Sequence, residues 1–549
     1  MDAATLTIFR HLYASVAEEM GVTLGRTAFS PNIKERLDFS CAIFLGDGQL
    51  LAQAAHIPVH LGAMPASVQA ALQACGPFAP GDVVILNDPY QGGTHLPDVT
   101  LVSPVFFDKT GHLLREARSP GVLPEEPQFF VASRAHHADI GGMSPGSMPL
   151  STELFQEGLI IPPVKLASAG ERNEALWKLI LSNVRTPSER EGDLVAQLAA
   201  HTIGQQRLAQ IVERYGLEPA LMQADLLIAY AERLTRTALA RVPEGCYTFE
   251  DYLDDDGQTS SQPRIQAKLT IAASEMSVDF AGSSAAVAGN INAVPAIAHS
   301  AVAYCLRCVA LALLGHDLPM NQGALNPIRV IIAPNSLLDP TPPHAVAAGN
   351  VETSQRIVDV TFGALAQALP DLIPAASQGT MNNLTFGSMP SEPVAHEAGH
   401  GSPFAYYETI GGGIGAGPDG AGGHGMHAHM SNTRNTPVEA LEYAFPLQVT
   451  VYQLRPGSGG DGRHRGGMGI IRGIRFRRAV RATLVSERRQ RGPYGLAGGN
   501  AGSPGRNLLI RAGRERALPG KGTFDLQAGD EVRIETPGGG GWGLTGTAS

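Results

Sequence analysis

At 549 residues, 43% hydrophobic and 17% charged, the chain has the composition of a globular protein too long for one core. A formal charge of −10, with no basic run interleaved with aromatics, argues against a nucleic-acid protein. The 64 glycines and 39 prolines call for many turns and close backbone approaches.

The N-terminal stretch Asp2 to Met20 places Leu6, Phe9, Leu12, Val16 and Met20 at helical spacing. It has no basic n-region and no cleavage site, so it reads as an amphipathic helix and not as a signal peptide. Val83–Leu86 and Val99–Phe107 read as buried strands, and Phe129–Ser133 as a further strand that delivers His136 just beyond its end. Leu194–Val242 carries alanines and leucines at three-to-four spacing, broken at Gly204 and Gly216, and predicts two helices. From about Cys246 the period changes to two, through Ile265–Ile271 and Met276–Phe280. The most apolar stretch, Ala296–Leu314, contains His299 and Arg307 and reads as a buried helix, not a membrane span. Beyond about residue 440 short strands alternate with Gly/Pro turns, and the arginines from Arg472 to Arg491 read as their solvent face. The expected fold is a mixed α/β (α+β) multidomain one. It has an N-terminal α/β portion over 1–240 carrying a strand-loop metal site, a middle α+β portion over 241–440 and a β-rich portion over 441–549.

The five cysteines suggest no disulfide framework. Cys305 and Cys308 form a lone C-x-x-C inside the apolar helix, without the second pair a structural zinc site needs. Buried thiols in a soluble, cytoplasmic protein are expected.

Chemistry concentrates in Asn87–Asp98 and Ala135–Gly142, each with a histidine and an aspartate three apart beside paired glycines. Neutral imidazole and carboxylate are ligands for Zn, Mn or Fe, so the pairs look like two halves of a metal site; ordinary turn and capping arrangements also use these residues. Asp38 is a further possible ligand or a surface acid at a strand edge, while His56 and His60 flank an apolar Ile-Pro-Val as core residues or ligands. Glu352 and Arg356, four apart, fit a helical ion pair or a pair orienting an anionic substrate. Gly411, Gly412 and Gly413 could form a nest of backbone N–H groups around an anion, or simply a loop. The chain has no G-x-x-x-x-G-K-[ST] phosphate loop, and no G-x-G-x-x-G follows a strand and opens a helix as a dinucleotide site requires.

Taken together, Ser30–Arg36, Asp38–Cys41, His56–His60, Asn87–Asp98, Ala135–Gly142, Gly349–Arg356, Asn432–Glu439 and Arg455–Gly469 resemble the hydantoinase B/5-oxoprolinase family nearly end to end. That family includes B-type subunits of ATP-dependent hydantoinases and oxoprolinases and the large subunits of acetone and acetophenone carboxylases. The resemblance implies a Zn or Mn ion held by Asp38, His95, Asp98 and His136. It also implies an A-type partner subunit in a hetero-oligomer, which binds ATP and phosphorylates a small cyclic amide. On this reading Asp139 or His137 is the general base for ring opening. Arg356, with the N–H groups of Gly411–Gly413, steadies oxyanion or phosphate charge. Gln91 stands where many relatives have histidine, and Arg115–Gln128 looks like an insertion between the two motif halves. A ketone carboxylase subunit and a non-catalytic assembly subunit are the alternatives.

Overall fold

A computed structural model describes residues 3–54, 56–60, 62–115, 126–389 and 403–546. Most of the proposed insertion lies outside these residues. The fold is mixed α/β. Its N-terminal part is an eight-stranded sheet whose centre holds three neighbouring antiparallel strands: β1 (Phe39–Leu45), β2 (Asp98–Phe107) and β3 (Phe129–His136), in the order β1-β3-β2. Both faces of these strands are covered, which explains why every residue along them is buried. Cys41, Ile43 and Leu45 point to one face and pack with α1 (Ala3–Thr27), α2 (Pro187–Tyr215) and α3 (Leu217–Leu239). Ala42 and Phe44 point to the other, beneath the helix Met64–Cys75. This is the period-two alternation of a strand.

Two expectations are corrected here. The strand carrying His136 does not stop at Ser133: it runs to His136, which pairs directly with Asp98. Of the two glycines expected to break the helical stretch, only Gly216 (φ 87°) does so. Gly204 lies inside α2, where a Cβ would sit 2.5 Å from the Met20 sulfur, so it serves close packing against α1.

The middle part is a four-stranded sheet, Ile328–Ile331, Glu275–Asp279, Arg264–Ala272 and Gly245–Tyr252 in that order, packed with α5 (Ser354–Ala368). The helix α4 (Pro295–Leu314) has a mean hydropathy of 1.8 and the length to cross a membrane. Its Ile297, Ala301, Val302, Cys305 and Val309 instead join α5 in a core that extends from Ile57 to Val485. All five cysteines are free thiols.

In the C-terminal part a four-stranded and a five-stranded sheet enclose Phe386, Tyr406, Phe476, Leu484 and Val532. The reading of Arg472–Arg491 as a solvent face fails at its buried members. Arg472 is fully buried, donating through Nε and Nη2 to Glu408 at 2.7 and 2.9 Å. Arg488 is buried against Asp251 and Asp359. Glycine-rich segments cross backbone to backbone: Gly413 N–H donates to Pro537 O, Gly467 N–H to Ile414 O and Gly539 N–H to Gly467 O.

Candidate metal centre

The loop from Asn87 to Pro97 is shaped by its own polar residues. Asp88 Oδ1 accepts from Tyr90 N–H and caps the short turn Pro89–Gln91. The Asn87 amide donates to Leu96 O at 2.8 Å and accepts from Ile161 N–H at 2.7 Å, pinning both ends. The loop thereby returns the chain into β2 with His95 and Asp98 one above the other. His136, at the end of β3, and His60, at the end of the turn Pro58–His60, come in from either side.

Asp98 is the hub. Its Oδ1 lies 3.0 Å from His95 Nε2 and 3.2 Å from His136 Nδ1; its Oδ2 lies 3.4 Å from His60 Nε2. Oδ2 also accepts from Thr94 Oγ1 at 2.9 Å and Asn350 Nδ2 at 3.3 Å. Asn350 belongs to a π-helical turn, Gly349–Thr353, that leads into α5. All four ionisable residues of this cluster are buried. Burial alone would raise the Asp98 pKa, but the surrounding imidazoles outweigh it and hold it well below the usual carboxylate range. Burial opposes charge on His95, yet Asp98 raises its pKa, whereas His136, dominated by burial, has a lowered one.

The donor set fits a divalent cation on two counts. His95 Nδ1 lies 3.1 Å from Ala347 O, and a carbonyl can only accept, so Nδ1 carries the proton. Nε2 then presents a lone pair, with Asn350 Nδ2 as a donor 3.0 Å away, and it also faces a carboxylate oxygen at 3.0 Å, a repulsion that a cation between the two acceptors relieves. In addition, His136 Nε2 is buried without a hydrogen-bond partner. His95, Asp98 and His136 offer ligand atoms all within 4.8 Å of one another. A cavity of about 20 Å³ beside them, lined by Asp38, His60, Asp98, His136 and Asn350, has room for about one ion or water.

The other sequence candidates lie elsewhere. Asp38 lines the cavity but is outside the compact triad, with Arg36 Nη2 at 3.8 Å. His137 turns away to Gln197 Oε1 at 3.1 Å, with its pKa lowered to about 4 by burial. Asp139 is occupied by Arg185 Nη1 at 2.8 Å and by the N–H groups of Gly141, Gly146 and Arg185. Neither is free to act as the base at the triad. Glu352 accepts from Met381 N–H and Asn383 Nδ2, while Arg356 donates to Asp251 at 2.7 Å, so both serve buried polar networks. The N–H groups of Gly412 and Gly413 are spent on Met426 O and Pro537 O, which leaves no anion nest there. Gln91 is exposed and donates to Asp88. His60 and Asn350, absent from the expected ligand set, belong to the centre. The His56–His60 pair of histidines is the signal for the former, and the latter lies in the Gly349–Arg356 stretch, where the charged Glu352 and Arg356 stand out instead.

Comparison with known proteins agrees with this architecture. The chain is 41% identical, over 99% of its length, to 5-oxoprolinase 1 of Arabidopsis thaliana, and spans 42% of that protein. Among solved structures it is similar to an ATP-dependent caprolactamase from Pseudomonas jessenii, with a TM-score of 0.87 at 26% identity, covering 99% of this chain and 91% of that one. It also shares the fold of an acetone carboxylase, with a TM-score of 0.85 at 17% identity, covering 99% of this chain and 76% of that one. The first relative overturns the expectation of a separate A-type subunit in a hetero-oligomer. There the matching region is 42% of one longer polypeptide, not a separate chain. The hydantoinase B/oxoprolinase model matches residues 2–545, and the chain belongs to that family.

Proposed function

We propose that this chain carries the ring-opening site of an ATP-dependent cyclic-amide hydrolase. The observation that carries this reading is the His95–Asp98 pair, two acceptors held 3.0 Å apart in a buried cluster of imidazoles. Its support from relatives is the likeness to a 5-oxoprolinase and to an ATP-dependent caprolactamase. The likeness to acetone carboxylase, at 17% identity, speaks for the fold alone and does not favour carboxylation.

His95, Asp98 and His136 would hold a Zn or Mn ion, with Asp38 at the edge of the same cavity. Such an ion supplies Lewis acidity toward an activated carbonyl and lowers the pKa of water. The residues themselves do the rest. Ala347 O fixes the His95 tautomer, as outer carbonyls commonly do for metal-ligating imidazoles. Thr94 and Asn350 hold Oδ2 of Asp98, keeping the carboxylate ionised and oriented. His60, held by Ser40 Oγ at Nδ1 and 3.4 Å from Asp98 through Nε2, braces the carboxylate at the edge of the cavity. Burial of the whole cluster keeps bulk solvent away from the activated amide.

The test is elemental analysis of the full protein and of His95→Ala, beside ATP-dependent opening of hydantoin, 5-oxoproline and ε-caprolactam. One Zn or Mn per chain, lost with turnover in the variant while its circular dichroism is unchanged, is the expected result. A metal-free wild type, or full turnover by His95→Ala, sinks the reading.

A further inference from the structure

Beside the small metal cavity lies a pocket of about 490 Å³. The two meet at one layer of chain. Ser431 lines both, and in the turn beginning at Ile57 the side chain of Pro58 faces the larger pocket while Ile57 and Val59 face the smaller. The walls of the larger pocket are apolar: Tyr304, Val309, Phe362, Ile373 and Ile414. Its polar groups include His427, His429, Ser431 and Asn432, and the hydroxyl of Ser431 is bonded to His427 Nδ1 at 3.1 Å.

Charge is what this pocket lacks. Among the described residues no lysine or arginine lines it. Burial lowers the pKa of both His427 and His429, so neither supplies a cation at neutral pH. Arg307 lines the adjoining groove, but Asp317 holds it through Nε and Nη2 at 3.0 and 2.5 Å. A carboxylate brought into such walls loses its hydration without gaining a partner, whereas an aliphatic ring gains burial.

We propose that this pocket receives the ring of an uncharged, largely aliphatic cyclic amide, with its amide edge toward Ser431 and the metal cavity, in preference to a carboxylate-bearing ring such as 5-oxoproline. The proposal deepens the cyclic-amide reading and rests on it for the reaction, though not for binding. The pocket exceeds the size of a single seven-membered ring, so alkyl-substituted lactams fit as well.

Calorimetric titration of the full protein with ε-caprolactam and with 5-oxoproline at pH 7.5 tests it. The wild type should bind the lactam at least tenfold more tightly. Ala312→Trp, at an exposed position on the pocket mouth, should abolish lactam binding with metal content and Tm unchanged. Leu372→Arg, which sets a cation in the half-buried wall, should reverse the preference toward 5-oxoproline. Tighter binding of 5-oxoproline by the wild type, or full lactam binding by Ala312→Trp, overturns the proposal and leaves the hydrolase reading standing. Lactam binding as expected without ATP-dependent opening of any amide upholds the pocket and overturns the hydrolase reading.

Discussion

Asp98 and His136 sit directly opposite each other on two antiparallel strands, and this cross-strand pairing sets His136 Nδ1 3.2 Å from Asp98 Oδ1. The next strand continues the row, since His136 N–H donates to Asp38 O at 3.0 Å, just ahead of β1. Three candidate groups thus come from the same ends of three adjacent strands, where backbone ladders hold them more rigidly than a free loop could. The ring of Tyr407 stacks on His136 at 4.5 Å between centroids and blocks its rotation. With Nδ1–H directed at Asp98, Nε2 of His136 keeps a lone pair aimed at no protein atom.

Asp98→Asn keeps the shape of this hub and removes its charge. Loss of a carboxylate that orients or binds a metal costs at least about 10–100-fold in affinity. Competition titration with a chromophoric chelator should show that drop, with the thermal melt of the metal-free protein little changed. Wild-type metal affinity in Asp98→Asn would remove Asp98 from the centre.

Glu157 supports the site from behind. It is buried, accepts from Ser151 Oγ at 2.7 Å and from the N–H groups of Val346 and Ala347 at 3.0 Å, and so fixes the carbonyl that orients His95. Burial raises its pKa to about 7, against which these hydrogen bonds only partly act. The folded chain therefore holds a proton between about pH 4.3 and 7 that the unfolded chain releases. Its contribution to stability is greatest below the lower limit, falls as pH rises through the window and is flat above it. The total is bounded at about 4 kcal/mol, from about 1.4 kcal/mol per pKa unit. Glu157→Gln retains an acceptor oxygen and should flatten the pH dependence of urea unfolding between pH 5 and 7. An unchanged slope in the variant would mean that this carboxyl does not titrate there.

Local signals made the strands readable. Val83–Leu86 and the run to Phe107 are apolar stretches with polar ends, and they form where expected. The end of β3 was misplaced because Arg134 and His136 look like loop residues, although both are buried by partners distant in sequence. Arg472 misled for the same reason. Alternation of charged and apolar residues is the signature of a solvent-facing strand, and only the fold brings Glu408 to it. His95, Asp98 and His136 were visible because the chemistry lies within two short motifs. Asn350 was not, because a π turn has no sequence period of its own and its partners lie about 250 residues away. The glycines of Gly411–Gly413 were noticed for the wrong reason, since they serve packing rather than ligand binding.

That packing is testable at Gly539. A Cβ there would fall 2.1 Å from Ile414 O, a backbone atom that cannot swing aside as a side chain would. Gly539→Ala should therefore destabilise by about 1–3 kcal/mol or more, the range for overpacking a filled interior. Gly420, where an added Cβ meets nothing within 4 Å, provides the control. Gly420→Ala should melt within a degree or two of wild type, and Gly539→Ala several degrees lower. Equal melting of the two variants would show that the glycine segments have slack.

Ser431 is the polar side chain shared by the metal cavity and the apolar pocket, which gives it a position no other hydroxyl shares among the described residues. Opening a ring amide leaves a nitrogen that must gain a proton, and a hydroxyl bonded to an imidazole can relay one. His427 Nδ1 lies 3.1 Å from Ser431 Oγ, so the imidazole is placed to pass a proton through that hydroxyl. On the cyclic-amide reading, Ser431→Ala should lower kcat by about a hundredfold, the low end for general acid–base steps, with KM and metal content unchanged. His427→Gln can hydrogen-bond Ser431 but cannot carry the proton onward, so it should share the kcat loss; His427→Ala should behave likewise. A variant that binds metal normally and turns over at the wild-type rate would reduce the Ser431–His427 pair to a structural bond. Loss of metal in Ser431→Ala would instead place its role in shaping the cavity.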